Sequence, residues 1–501
     1  MKRLSLLFFT LLFIGSSQAQ PCTIDCTIKG ITVKKVKLYL LYADYVPIQP
    51  TIELEPDKDG KFKQTLQLPY PVFAQLELDK QKHRLLLSPG RNLQLTIDSA
   101  SILFSGKAAP ENQLVYNSIL DSKPLFSSNS KEIISYKDLT KAGWADTLMR
   151  HIEAEIATAK TQIEKSGTSS ALKNILTSEI NYAYQYHLAN FAAWDLRKAN
   201  KLFSDTAQKL VMQWQPLPNS SILQSGYYAN AMLEKRNRYE INQASNRIKT
   251  TNLDSMKQKL AEFFNMPFNT IDSLIKINGE QAYLASRYAE LYWPKAIQDK
   301  VYFNLFVEAY DMSNTNGCTY LLNNMQEKYP TSPYLPQVKK LQQQLTDVVK
   351  RNSGNTKITI EDIGQMSSVL EVIKKYEGKV IYLDLWGTWC GPCKQEMTYA
   401  PELKKRYAGK NIVFLYIALD NPEQDKKWRD YIYINSLEGS HYRVSQAQTE
   451  TFWQAAEKAG IQPLRSVPRY MIIDAQGKIV HDVAERPSSQ QKLYDQLDKL
   501  L

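Results

Sequence analysis

The chain contains 501 residues, a length that predicts about three domains. Its formal net charge is +11, but the 62 basic residues lie scattered among 51 acidic ones, often side by side. Because the sequence lacks a basic stripe with interleaved aromatic residues, nucleic-acid binding is excluded as the expected function. Five cysteines in a chain of this length are too few for disulfides to hold the fold together.

Residues 1–19 have the pattern of an export signal. A basic start leads into the apolar run Leu4–Ile14, and small residues follow at Ser17 and Ala19. We expect cleavage after Ala19 and a mature protein in the periplasm or cell envelope. No later run is as long as a membrane span. The residues before Cys22 do not match the small-residue motif of lipoproteins, so lipid anchoring at Cys22 is not expected.

Residues 20–108 predict a small antiparallel β-domain. Apolar and polar residues alternate in Val36–Leu40 and in Leu93–Ile97, as in half-buried strands. Asp57–Gly60 and Pro89–Gly90 are turn sequences between such runs.

The three cysteines outside the later dithiol motif have ordinary structural interpretations. Cys22 and Cys26 would pair only if the segment between them turns, because an extended strand places their Cα atoms too far apart. Cys318 is expected to be a small buried residue rather than a reactive one.

Residues 109–350 predict an all-α domain. Glycine is sparse there, and apolar residues recur three or four positions apart. Arg351–Thr356 is polar and breaks this pattern, so we interpret it as the linker to a last domain at 351–501.

The last domain carries a pair of thiols where a strand passes into a helix. The apolar run Val380–Trp386 is followed by Cys390-Gly-Pro-Cys393 and then by a helical sequence. A helix that begins at Cys390 directs unpaired N–H groups and its positive dipole end at that sulfur, which favours the thiolate. Cys393 lies one turn along the same helix, within reach to close a disulfide. This spacing predicts redox chemistry.

Three further positions complete the motif. Asp384 lies on the apolar strand six residues before Cys390, where a carboxylate is desolvated and its pKa is raised. Glu396 follows Cys393 by three residues. Pro468 heads the apolar strand sequence Arg469–Ile473 far downstream.

These motifs resemble the TlpA/ResA-like thiol-disulfide oxidoreductases of the thioredoxin superfamily. The resemblance covers about residues 378–501 and implies a C-terminal α/β thioredoxin-like fold. The β-rich and helical regions before it are similar in pattern to those of exported proteins of Bacteroidetes-type bacteria. The expected fold is therefore multidomain, with the thioredoxin-like domain preceded by a small antiparallel β-domain and an all-α domain.

The resemblance also implies roles for individual residues. Cys390 and Cys393 form the redox disulfide, and Asp384 and Glu396 take part in catalysis by moving protons. The cis-proline Pro468 lies in a loop that packs beside the dithiol, and the backbone of Val467 pairs with the substrate as an added strand. We assign Trp389 to the same substrate-binding site; it also fits the plain interpretation of a buried aromatic residue that packs against the sulfurs and shields them.

Two features of the sequence depart from the family. Thr398 replaces a proline usual in the family, and the lysine that accompanies the buried aspartate of thioredoxins is missing from the strand Val413–Asp420. We therefore expect the pKa of Asp384 to differ from that of its thioredoxin counterpart.

The expected function is reduction of disulfides in exported proteins, with no cofactor and no metal. Sustained reduction outside the cytoplasm requires electrons, so a membrane thiol transporter is the implied donor. Substrates of the family are often apocytochromes or other proteins with metal-site thiols, as in cytochrome c biogenesis.

Several alternatives stand beside this prediction. Half of a zinc site would need further ligands; the remaining cysteines are Cys22, Cys26 and Cys318, and the five histidines include no closely spaced pair to complete a tetrahedral shell. A peroxidase of the peroxiredoxin type would need a proline and a threonine at set spacings before its cysteine, and this sequence does not supply them. Glu396 also fits a plain interpretation, since a helix dipole favours an acid in the first turn. The same dithiol could act as an oxidase or isomerase, or the protein could chiefly bind a partner, with the redox domain accessory.

Overall fold

The computed structural model describes residues 19–31, 33, 35–41, 51–79, 81–121, 144–196, 205, 208–209, 211–212, 219–362, 369–444, 446–458 and 466–501. Apart from Ala19, the predicted export signal lies outside these residues. They divide into two compact units, one within 1–271, 283–308 and 324–336, the other within 272–282, 309–323 and 337–501. In the described parts of the chain, no helix has the length and apolar character needed to cross a bilayer.

The first unit begins with eight described strands in two four-stranded sheets. Their orders are β4-β1-β7-β8 and β3-β2-β5-β6. Both sheets contribute to one buried apolar core. The strands are β1 (Gln20–Ile28), β2 (Val36–Leu40), β3 (Thr51–Leu54), β4 (Lys61–Leu68), β5 (Val72–Leu78), β6 (Gln81–Leu87), β7 (Leu93–Ile97) and β8 (Ile102–Ser105).

The prediction of a β-region is confirmed, but the prediction that its strands are antiparallel is wrong for one pair. Strands β1 and β7 run parallel, with Ile24 opposite Leu93. The alternation of apolar residues predicts which face of a strand is buried and gives no information about the direction of its neighbour. The predicted turn at Asp57–Gly60 is present, since Gly60 has φ +72° and the Asp57 carboxylate accepts from the N–H groups of Asp59 and Lys61.

Cys22 and Cys26 lie on the continuous strand β1. Both thiols are free and fully buried. Burial raises the pKa of Cys22 and that of Cys26, the latter to about 12. Pairing within this segment would require a turn that the strand does not make.

The chain continues as the predicted helical region. Side chains cap some of these helices; Asn219 and Asn252 accept from the N–H groups of Ile222 and Ser255. The helices are α1 (Ala109–Tyr116), α2 (Trp144–Lys165), α3 (Ser170–Asn190), α4 (Ser220–Ser225), α5 (Tyr228–Ile248), α6 (Leu253–Phe264), α7 (Phe268–Asn278), α8 (Glu280–Tyr292), α9 (Lys295–Asp311), α10 (Thr315–Lys328) and α11 (Leu335–Asn352), with a π-helical turn at Phe191–Leu196.

The second unit contains a six-stranded mixed sheet of order β14-β13-β10-β11-β12-β9. Its strands are β9 (Ile358–Asp362), β10 (Val380–Trp386), β11 (Ile412–Ala418), β12 (Gly439–Arg443), β13 (Arg469–Ile473) and β14 (Ile479–His481). The associated helices are α12 (Val369–Lys374), α13 (Gly391–Met397), α14 (Ala400–Arg406), α15 (Asp425–Ile434), α16 (Gln446–Lys458) and α17 (Gln491–Leu497), with 3-10 turns at Pro422–Gln424 and Pro487–Ser489.

Strand β10 lies inside this sheet and is buried along its whole length. It pairs in parallel with β11 and antiparallel with β13. Its alternate residues contribute to apolar cores on both faces of the sheet, which explains its nearly continuous apolar sequence. The carboxyl end of β10 leads directly to the two cysteines.

Candidate dithiol active site

The two cysteines of the motif form a disulfide at the start of α13. Their Cα atoms are 5.3 Å apart, and Cys390 is the N-cap of the helix. The Cys393 N–H donates to Cys390 Sγ at 3.2 Å. Cys393 is fully buried and Cys390 is 3% exposed. The first turn of the helix therefore holds both sulfurs at bonding distance and directs an N–H at the outer one.

The loop before β13 lies beside this disulfide. The Val467–Pro468 peptide bond is cis, the geometry that the family resemblance implies. Val467 packs against the apolar cluster that contains both cysteines. Because Arg469 pairs with Leu385 near the end of β10, the start of β13 and the dithiol meet at the same edge of the sheet.

Trp389 lies exposed next to the dithiol rather than buried. Its side chain is 58% exposed, and its indole N–H donates to the Leu419 carbonyl at 3.2 Å. A Cβ atom at Gly387 would lie 2.6 Å from the indole nitrogen. The glycine therefore makes room for the ring, a role that no motif in the sequence indicates.

Asp384 is buried on β10, the strand that leads to the dithiol. It is 3% exposed, and its Oδ1 has no hydrogen-bond partner among the described residues. Burial raises its pKa well above the ordinary value, as its apolar surroundings predict, and Lys404 opposes this effect.

Lys404 is a basic residue that acts on Asp384, although the strand Val413–Asp420 contains no lysine. It comes from α14, not from the strand where thioredoxins carry their lysine. Its Nζ lies 4.7 Å from the ring centroid of Tyr416 and donates to the Glu438 carbonyl. Burial lowers the pKa of Lys404 to about 7, against the opposite effects of Glu438 and Asp384.

Glu396 is held by a residue far along the chain. The N–H and hydroxyl of Ser488 donate to its two carboxylate oxygens at 3.0 and 2.9 Å. Glu396 is 9% exposed and lies in the second turn of α13. The plain interpretation, an acid favoured in the first turn by the helix dipole, is therefore wrong for this residue.

A second buried carboxylate accepts hydrogen bonds from the loop before Cys390. Asp420 accepts from the Thr388 N–H at 3.0 Å and from its hydroxyl at 2.8 Å. Both residues are nearly inaccessible to solvent, and burial raises the pKa of Asp420. Sequence reasoning missed the pair because the two residues are 32 positions apart.

A segment from the helical region also contacts α13. Lys394 Nζ donates to the Met312 carbonyl at 3.4 Å and lies 4.8 Å from the ring centroid of Tyr431. Burial lowers the pKa of Lys394 to about 8, with Lys427 acting in the same direction. The surroundings of the dithiol thus include residues that the sequence assigned to a different domain.

The described residues include no group of three or more histidine, cysteine, aspartate or glutamate side chains placed to hold a metal ion. Cys318 is buried, and burial raises its pKa.

Comparison with known proteins places the similarity in the C-terminal part. The Redoxin family model matches residues 352–497. Thiol-disulfide oxidoreductase ResA of Bacillus thuringiensis subsp. konkukian is 29% identical over 119 residues, 24% of this chain and 62% of that protein. ResA of Bacillus anthracis is 30% identical with the same coverage. The chain thus spans 62% of the length of these curated relatives.

Solved structures are similar over about a quarter of this chain. The thioredoxin domain of a thiol-disulfide oxidoreductase from Bacteroides vulgatus is 20% identical, covering 25% of this chain and 81% of that one, with a TM-score of 0.20. A thiol:disulfide interchange protein from Bacteroides sp. is 20% identical, covering 25% and 74%, with a TM-score of 0.21.

Proposed function

Residues 352–497 form a redoxin domain of the TlpA/ResA-like group in the thioredoxin superfamily, and we propose on that premise that the protein is an exported thiol-disulfide oxidoreductase. It reduces disulfides of envelope proteins through Cys390 and Cys393. The single observation that carries this proposal is the disulfide between those residues at the start of α13, beside the cis Val467–Pro468 bond.

The proposed reaction transfers two electrons from the dithiol to the substrate. The Cys390 thiolate attacks a substrate disulfide, forming a mixed disulfide and releasing one substrate sulfur as a thiolate. Cys393 then gives its proton to Asp384 and attacks Cys390 Sγ. The second substrate sulfur leaves and takes up a proton, and the Cys390–Cys393 disulfide remains.

Both cysteines are buried, and the position of Cys390 at the helix N-cap gives the two sulfurs different roles. Cys393 is fully buried, whereas Cys390 lies at the N-cap next to the exposed Trp389. Cys390 is therefore the attacking sulfur and Cys393 the resolving one. Burial disfavours a free Cys393 thiolate, so a nearby base is needed, and Asp384 lies on the preceding strand to act as one.

Val467, Pro468 and Trp389 form the proposed substrate-binding edge. The backbone of Val467 precedes β13 and pairs with an extended substrate segment. Trp389 offers an exposed aromatic surface beside Cys390, suited to apolar side chains near the substrate disulfide.

The direction of electron flow follows from the residues between the cysteines. Gly391 and Pro392 bring no charge that would stabilise the thiolate further, and thioredoxin, with the same pair, has a potential of about −270 mV. A membrane thiol transporter is the proposed electron donor, and the export-signal pattern at 1–19 supports a proposed location in the periplasm or cell envelope.

Two measurements test this proposal. The full chain is equilibrated with dithiothreitol mixtures of known potential, and its thiols are counted by alkylation and mass spectrometry. A value of about −270 mV is expected, whereas about −120 mV, that of a strong oxidant, would contradict the reducing role.

The second measurement identifies substrates in the native organism. Cys393→Ser removes the resolving thiol, so the substrate stays bound to Cys390 as a mixed disulfide. The matched control Cys390→Ser keeps only the fully buried thiol and should trap little. Equal trapping by the two variants, or none by either, would overturn the mechanism.

A further inference from the structure

We propose that Lys404 is a positioning residue of the dithiol reaction, which controls the charge of Asp384 and thereby the proton transfer from Cys393. This inference rests on the proposed function and deepens it. It assigns to helix α14 a task that thioredoxins give to a lysine on a strand.

The geometry starts from a row of polar side chains across the sheet. Asp384 on β10 lies in register with Tyr416 on β11 and Tyr470 on β13. Tyr416 in turn lies opposite His441 on β12. The rings of Tyr416 and His441 are stacked, with their centroids 4.7 Å apart and an interplanar angle of 14°. Asp384 thus belongs to a buried polar row on the dithiol face of the sheet.

The side chain of Lys404 extends from α14 over this row. Its ammonium lies over the ring of Tyr416, the register neighbour of Asp384, and 5.9 Å from the ring centroid of Phe414. Its donation to the Glu438 carbonyl fixes the end of the side chain. The amino group is therefore held over the row rather than directed away into solvent.

The ionisable groups around Asp384 leave Lys404 as the decisive charge. Glu396 of α13 also acts on Asp384, and so do four phenols, those of Tyr382 on β10, Tyr416 on β11, Tyr431 on α15 and Tyr470 on β13. Burial raises the pKa of each phenol, so all four are neutral near pH 7.

Glu438 and His441 face Lys404, and burial lowers the pKa of His441 to about 3, which leaves it neutral. Lys404, whose own pKa burial lowers to about 7, is the cation in this set on the acid side of neutrality.

The direction of the effect follows from Coulomb's law. A cation near Asp384 favours its ionised form, the form that accepts a proton from Cys393. Without Lys404 the pKa of Asp384 rises further, and less of it is ionised at a given pH. Closure of the Cys390–Cys393 disulfide then needs a higher pH, while the initial attack by Cys390 is unchanged.

The test separates these two steps. Reduced full-length protein is mixed with oxidised glutathione between pH 5 and 9. Formation of the mixed disulfide on Cys390 and its resolution by Cys393 are timed by acid quench and mass spectrometry. For Lys404→Met we expect the midpoint of the resolution step to rise by about one pH unit, a roughly tenfold slower step on the acid side. The attack step should keep its pH profile.

Matched variants separate charge from packing. Lys405→Met alters the exposed neighbour on α14 and should behave as the wild type. Lys404→Arg keeps a positive charge and should restore the midpoint. Lys404→Gln keeps a donor for the Glu438 carbonyl without the charge, so it replaces Lys404→Met if that variant does not fold. In an Asp384→Asn background, Lys404→Met should add nothing.

The outcomes distinguish this inference from the function on which it rests. An unchanged midpoint in both uncharged variants, or a full effect in the Asp384→Asn background, overturns the role of Lys404. If the reduced wild type forms no mixed disulfide with glutathione at any pH, the proposed oxidoreductase function itself fails.

Discussion

Ser488 donates both its main-chain N–H and its hydroxyl to the carboxylate of Glu396, across 92 positions of sequence. The contact ties the 3-10 turn Pro487–Ser489 to the helix that begins at Cys390. Glu396 is 9% exposed, so these two donors replace much of the hydration that its carboxylate loses. An acid near the dithiol is thereby held in one orientation.

Replacement of Ser488 by alanine should weaken this attachment. The variant keeps the main-chain donor but loses the hydroxyl, and we expect the free energy of unfolding to fall by roughly 1 kcal/mol. Urea unfolding of the full chain followed by tryptophan fluorescence measures the change. Ser489→Ala in the same turn is the control, since its hydroxyl does not contact Glu396. Equal stability of the two variants would show that the hydroxyl contributes nothing.

Substitution of Gly387 by alanine should displace the indole of Trp389. The new Cβ atom would lie 2.6 Å from the indole nitrogen, so the rigid ring has to rotate and lose its bond to the Leu419 carbonyl. We expect altered fluorescence of Trp389 and slower reduction of a peptide disulfide, with little change for a small disulfide such as oxidised glutathione.

Gly354→Ala in the linker is the matched control, because a Cβ atom there would have Arg351 O at 3.9 Å as its nearest contact. Trp389→Phe identifies the fluorescence that belongs to this ring. Equal slowing with the peptide and with glutathione would contradict a substrate-binding role for Trp389 and indicate a damaged dithiol.

Sequence reasoning reached the parts of this site that are local in the chain. The strand, the Cys390–Cys393 spacing and the buried acid at Asp384 all lie within 14 consecutive residues, where periodicity and capping rules apply. The interactions of Lys404 and Ser488 could not be predicted in the same way. Each depends on how a helix or turn packs against another element of the fold, and an apolar pattern predicts burial without identifying the neighbour.

The same limit explains the error in the β-region. The alternation in Leu93–Ile97 correctly predicts a half-buried strand, yet its neighbour β1 runs parallel to it. For the C-terminal domain the family resemblance supplied this missing topology, including the position of Pro468. No such motif exists in residues 20–108.

His441 should make the fold sensitive to acid. Burial lowers its folded-state pKa to about 3, below the ordinary value of about 6.5, so the folded protein binds fewer protons than the unfolded chain. The stability due to neutral His441 is complete above pH 6.5 and is lost as the pH falls towards 3. The expected slope is about 1.4 kcal/mol per pH unit.

His441→Phe tests this dependence. Phenylalanine keeps a ring against Tyr416 but cannot titrate, and it loses the hydrogen bond between Nε2 and the Leu437 carbonyl. We expect lower stability than the wild type at pH 8 and a flatter decline between pH 6.5 and 4, measured by urea unfolding at each pH. Parallel curves for the two proteins would rule out His441 as the titrating group.

Arg91 should be required for stability of the β-region, because its partner is a fully buried carboxylate. Glu111 is 0% exposed and accepts from Arg91 Nε at 2.6 Å and from Nη2 at 2.9 Å. Arg91→Met leaves that carboxylate without its counter-charge, and we expect a loss of about 3 kcal/mol. Amide hydrogen exchange of β1 and β7 in the full chain reports this local stability.

The double variant Arg91→Met, Glu111→Leu separates loss of packing from loss of charge. If the cost of Arg91→Met comes from an uncompensated buried charge, removal of Glu111 as well should recover part of the protection, since a buried ion pair replaced by apolar residues is often neutral in stability. Equal exchange in the single and double variants would instead assign the loss to the missing contact between Arg91 and the Lys107 carbonyl.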